Sequence, residues 1–100
     1  MVTLSFIEYG ENLGTRPLGK VVREKLMSLI EQNDRVVLDF TGVNVVSNSF
    51  ADECIAKLLL TMPLAVLKTR TTFRGLNPIA SESILTALRR RHSVACTNCQ

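Results

Sequence analysis

Apolar and polar residues alternate over Val2-Thr3-Leu4-Ser5-Phe6. A period of two predicts a half-buried strand with Val2, Leu4 and Phe6 on one face. Residues 8–16, with Gly10 and Gly14, read as a loop. From Pro17 the period changes. Leu18, Val21, Val22, Leu26, Leu29 and Ile30 recur at helical spacing, with Lys20, Arg23, Glu24 and Glu31 facing away. Pro17 suits a first helical turn, where a missing N–H costs nothing. Gln32-Asn33-Asp34 supplies turn formers to end the helix. Arg35-Val36-Val37-Leu38-Asp39-Phe40 is a near-continuous apolar run, the pattern of a central strand covered on both faces. Gly42 breaks it, and Val43 to Val46 carries the chain in extended form to Ser47.

A second helix is predicted from Ser49, with Ser49 and Asp52 at capping-box spacing. Phe50, Ala51, Cys54, Ile55, Leu58 and Met62 form its apolar stripe. Asp52 and Glu53 lie in its first turn, where the positive end of the helix dipole favours acids. Pro63 ends or bends it, and Leu64 to Lys68 adds a short helical turn. Thr71-Thr72-Phe73-Arg74-Gly75-Leu76 reads as a strand from its β-branched and aromatic content. Asn77 caps and Pro78 opens a last helix with Ala80, Ile84, Leu85, Ala87 and Leu88 on its core face. The order β-α-β-α-β-α predicts an α/β fold with right-handed crossovers and a mostly parallel sheet, with Leu4 and Phe6 at one edge. Residues 1–91 make one domain, and residues 92–100 read as a polar, loose tail.

Composition narrows the function classes. The chain has 100 residues and 46% hydrophobic content, enough for a single core. Four Phe, one Tyr and no Trp leave no aromatic platform for stacking bases. The net charge of +3 arises in the second half, with a run at Arg89-Arg90-Arg91. That is short of the broad basic stripe of a nucleic-acid binder, so none is expected. The most apolar run, Leu58 to Leu67, holds Pro63 and is half the length of a membrane span. No secretory leader pattern opens the sequence, and a cytoplasmic protein with no membrane partner is expected. Cys54, Cys96 and Cys99 would then stay reduced.

In open α/β sheets, ligands and partners meet the carboxyl ends of strands and the helix starts that follow. Val46-Ser47-Asn48-Ser49-Phe50 is one such place, and helix capping alone also accounts for a serine there. Gly14-Thr15-Arg16-Pro17 is the other: Thr15 and Arg16 are candidates to hold a carboxylate or phosphate. No Gly-Lys-Ser/Thr phosphate loop is present. The lone histidine, His92, falls in the tail, so no nucleophile has an evident base, and no enzyme is expected. Asp39, Asp52 and Glu53 read as caps or partner contacts rather than an acid–base pair. Cys96-Thr97-Asn98-Cys99 has half the ligands of a zinc site, and neither a metal nor another cofactor is expected.

The run Val36-Val37-Leu38-Asp39-Phe40-Thr41-Gly42-Val43, followed by Val46-Ser47-Asn48-Ser49-Phe50-Ala51-Asp52-Glu53, resembles the STAS-like family. These are small bacterial domains, mostly of unassigned function, related to anti-sigma factor antagonists. Gly14-Thr15-Arg16-Pro17-Leu18 and Phe73-Arg74-Gly75-Leu76-Asn77 are similar to that family too, and the resemblance covers about residues 1–91. It implies a small sheet with helices packed against it. In anti-sigma factor antagonists an Asp-Ser-Ser-Gly turn opens the central helix. A partner of the histidine-kinase-like ATPase fold phosphorylates the first serine, and the unphosphorylated antagonist binds that kinase. With Asp39 to Val43 in register, the family's Asp falls on Ser47, its phosphorylated Ser on Asn48 and the next Ser on Ser49. An amide cannot accept a phosphoryl group, which leaves Ser47 and Ser49 as the neighbouring hydroxyls. Phe50 stands in place of the glycine. Its spacing to Cys54 places it in the core, whereas an exposed Phe50 would anchor a partner.

Three readings follow. The leading one is a regulatory protein-interaction module that docks a partner, such as a histidine-kinase-like ATPase, through Ser47, Asn48, Ser49, Phe50, Asp52 and Glu53. The second is a sensor of small anionic ligands or nucleotides using Arg16 and the same helix start. The third, a phosphoryl or acyl transferase, lacks a visible nucleophile–base pair.

Overall fold

The computed structural model describes residues 2–98. In chain order its elements are β1 (Val2–Ser5), β2 (Asn12–Leu13), α1 (Arg16–Gln32), β3 (Val36–Asp39), β4 (Val45–Val46), α2 (Asn48–Cys54), α3 (Leu64–Arg70), β5 (Thr71–Arg74) and α4 (Pro78–Asn98). Short 3-10 turns occupy Phe6–Tyr9 and Ala56–Leu60. The main sheet is parallel with the order β1-β3-β5, and its register sets Val36 opposite both Val2 and Thr71. The central strand is the apolar run: Val36, Val37 and Leu38 are all buried, as a strand covered on both faces requires. The parallel α/β fold expected from the pattern is the one observed.

β1 stops one residue earlier than the strand period predicts. Phe6 instead opens a 3-10 turn, yet its ring is fully buried and stacks on Phe40 with centroids 4.0 Å apart. Phe50 meets Phe6 edge-on at 6.4 Å, so three rings join the segments just after β1 and β3 to α2 in one core. The stretch read as a loop contains β2, which pairs in parallel with β4. Two residues whose partners lie over thirty positions away leave no local pattern to read.

α1 starts where Thr15 Oγ1 accepts from the Leu18 N–H at 3.3 Å. Its buried positions are Gly19, Val22, Leu26 and Ile30, while Val21 leaves the expected stripe and is 58% exposed. The reason is a narrow seam against α2, with Gly19 at the crossing. A Cβ on Gly19 would lie 2.9 Å from Glu53 Cβ and 3.2 Å from the Phe50 carbonyl oxygen. The far end of α1 is closed by a distant side chain. Arg70 donates to the carbonyls of Ile30, Asn33 and Asp34, which helical bonding leaves open or unpaired.

The second predicted helix is broken into pieces. α2 ends at Cys54, the chain tightens into 3-10 geometry, and α3 starts after Pro63. α4 opens as expected, with Asn77 Oδ1 accepting from the Ala80 N–H at 2.8 Å. The same amide donates to the carbonyls of Val43 and Asn44, tying the helix start to the turn before β4. α4 then runs through His92 to Asn98, where the pattern suggested a loose tail. Nothing after Pro78 is Gly or Pro, so no residue there breaks a helix. Cys99, and with it the Cys96–Cys99 spacing, lies outside the described residues.

Candidate functional site

The chain enters α2 from β4, and Ser47 is the cap of that helix. Its Oγ accepts from the Phe50 N–H at 3.0 Å and donates to the Gly14 carbonyl at 3.1 Å. The expected capping box between Ser49 and Asp52 therefore does not form. The cap lies two residues earlier than expected, at Ser47, whose hydroxyl has a tertiary partner in the Gly14 carbonyl. Asn48 is exposed and Ser49 half-buried. Phe50 is fully buried, which settles it as a core residue.

The two acids of α2 serve as tethers. Asp52 takes a bidentate pair from Arg91, Nε to Oδ1 and Nη2 to Oδ2, each at 2.8 Å. Arg16 Nη1 adds a third bond to Oδ2 at 2.9 Å. One carboxylate thus joins α1, α2 and α4. The Arg91 bonds, followed by those from Arg16, hold its pKa well below the usual carboxylate range. Glu53 is buried between α1 and α2. Lys57 Nζ reaches its Oε1 at 2.9 Å, Arg23 Nη1 its Oε2 at 2.6 Å, and Arg16 its Oε1 at 3.4 Å. Those contacts, Lys57 first, hold Glu53 down to about 2.

Asp39 belongs to a different cluster. It accepts from the Thr41 hydroxyl at 2.6 Å, the Thr41 N–H at 2.9 Å and Arg74 at 2.9 Å. These bonds, the Thr41 hydroxyl first, bring it to about 2. Gly75 follows β5 with φ +73°, and a Cβ there would strike Thr41. The Cys54 thiol is buried and pushed up to about 12 by desolvation.

Asn48 and Ser49 open onto a groove of about 510 Å³ between α2 and α4. Its walls include Leu59, Leu60, Thr86 and Ala87, and its rim carries Arg16, Asp52, Arg90 and Arg91. A second hollow of about 290 Å³ adjoins it, sharing Asn48 and Thr86 and adding Ile79, Glu82 and Ser83. The structure therefore brings Arg16, Asn48, Ser49 and Asp52 to one surface. Ser47 and Glu53 stay behind it, and Thr15 caps α1. The α4 wall was missed from sequence. Its one signal was the spacing of Ser83, Thr86, Ala87 and Arg90, three and four apart on a single helix face.

The small parallel sheet, the capped central helix and the turn from β4 define a STAS-like α/β domain. The family model for the STAS-like domain of unknown function (DUF4325) matches residues 19–79, and the chain belongs to that family. The match is narrower than residues 1–91. It takes in α2 and ends before Thr86, Arg90 and Arg91. No curated protein and no solved structure matches the chain. Among the described residues, no helix is long and apolar enough to cross a membrane, and no group of three or more His, Cys, Asp or Glu could hold a metal ion.

Proposed function

We propose that this chain is a non-enzymatic, regulatory protein-interaction module. It docks a partner on the surface made by the start of α2 and the exposed side of α4. The observation that carries the reading is the pair of adjoining hollows that share Asn48 and Thr86. They form one concave strip beginning at the turn that corresponds to the partner-binding turn of anti-sigma factor antagonists. A histidine-kinase-like ATPase is the partner class this resemblance favours. The chemistry of the residues in and behind the strip, and of Asp39 apart from it, supports docking over catalysis. Asp39, Asp52 and Glu53 are all held ionised, Cys54 is buried, and the Ser47 hydroxyl donates to a backbone carbonyl.

The anionic-ligand reading has less support. Arg16 already serves Asp52 and Glu53, and the Ser47 hydroxyl is taken up by its own helix. Affinity capture from the native host tests the docking reading. Wild-type protein should retain a regulatory ATPase-type protein that Asn48→Arg and Thr86→Arg both lose, with circular dichroism unchanged. Recovery of no regulatory protein, or equal recovery with both variants, refutes it.

A further inference from the structure

We infer that the groove between α2 and α4 takes a short partner segment pairing acidic with aliphatic side chains. This rests on the docking reading and names the chemistry of its occupant. Leu60 is 69% exposed at the groove, beside Leu59 and Ala87. An aliphatic side chain laid there would remove apolar surface from water on both partners. The rim is electrostatically one-sided. Arg16, Arg90 and Arg91 face a single carboxylate, Asp52. Asp52 is already bonded to Arg16 and Arg91, and Arg16 also reaches Glu53, so the surplus positive charge that an incoming segment meets centres on Arg90, which has no carboxylate partner among the described residues. Carboxylates on that segment complement it, and an added lysine or arginine would be repelled.

The continuation of the groove into the second hollow favours side chains of an extended or helical segment over a compact small molecule. Nucleic acid fits less well. Among the described residues no aromatic side chain lines either hollow, so bases find no stacking platform.

The test pans a random-peptide phage library against the full chain. Enriched peptides should combine Asp or Glu with Leu, Ile or Val. Arg90→Glu and Leu60→Ser should each weaken a selected synthetic peptide by roughly tenfold, and raising salt from about 0.05 M to about 0.5 M should weaken it further. Far-UV circular dichroism checks that both variants fold. The inference is overturned by no enrichment, or by acidic peptides that bind both variants as they bind wild type. Basic or neutral peptides that map to the groove by Asn48→Arg also overturn it, while leaving the docking reading intact. A single-stranded oligonucleotide that displaces the selected peptide would make nucleic acid the occupant and overturn it as well.

Discussion

Glu53→Gln keeps the shape of the side chain and removes its charge, so it isolates what the buried carboxylate contributes. In the wild type its two oxygens face Arg23 at 2.6 Å, Lys57 at 2.9 Å and Arg16 at 3.4 Å. The glutamine amide must turn an NH2 group toward one of these donors. Removing one partner of a fully buried ion pair costs about 3–5 kcal/mol. Here Arg16 is 52% exposed and Lys57 31%, so water takes over part of their solvation. Arg23, at 17%, has less recourse. A loss of about 2 kcal/mol follows, which lowers the melting temperature of a domain this size by roughly 8–16 °C. Urea titration followed by far-UV circular dichroism measures it. Lys57→Met, which removes only a partly exposed member, should cost about 0.5 kcal/mol. The reasoning fails if Glu53→Gln costs less than about 0.5 kcal/mol, or no more than Lys57→Met.

The same variant carries a pH signature. The folded pKa of Glu53 lies below its ordinary 4.5, at about 2. A lowered carboxylate pKa means that the stabilisation is present above pH 4.5 and is lost as pH falls toward 2. Solvent screening at the exposed partners Arg16 and Lys57 keeps this contribution to about 1–2 kcal/mol. Wild-type stability should therefore decline across that window, and Glu53→Gln should decline less. The slope that remains belongs to Asp52 and Asp39, which are shifted the same way.

Gly19→Ala improves helix propensity by about 1 kcal/mol, yet its Cβ would press on Glu53 and the Phe50 carbonyl, so a net loss of about 1–2 kcal/mol is expected by chemical denaturation. A gain in stability would mean that α1 and α2 separate more easily than their packing implies. Ser47→Ala should cost about 1 kcal/mol and Ser49→Ala less than about 0.5 kcal/mol. The reverse order, read from urea midpoints, would return the cap to Ser49.

Much of the candidate site was legible as a place and little of it as an arrangement. Phe50 was readable as core from its spacing to Cys54, since a helix repeats its faces over that interval. The roles of Ser47 and Ser49 were not readable. Both suit a cap, and the choice falls to the Gly14 carbonyl, 33 positions from Ser47. Asp52 looked like a helix-start acid available to a partner. Its bond to Arg91 spans 39 positions and turns it into a tether between helices.

The sequence by itself determined the elements with long, strong periodicity. The central strand follows from an unbroken apolar run. α1 follows from its spaced aliphatics, and α4 begins where Asn77 and Pro78 place it. These signals are local, because a hydrophobic period and a helix cap are each written in residues one or two turns apart. Only the tertiary structure decided the rest. It paired β2 with β4, closed α1 with Arg70, set Gly19 against Glu53 and raised α4 as the second wall of the groove. Each of these joins residues far apart in the chain, through hydrogen bonds and contacts whose geometry exists only once the helices have packed on the sheet.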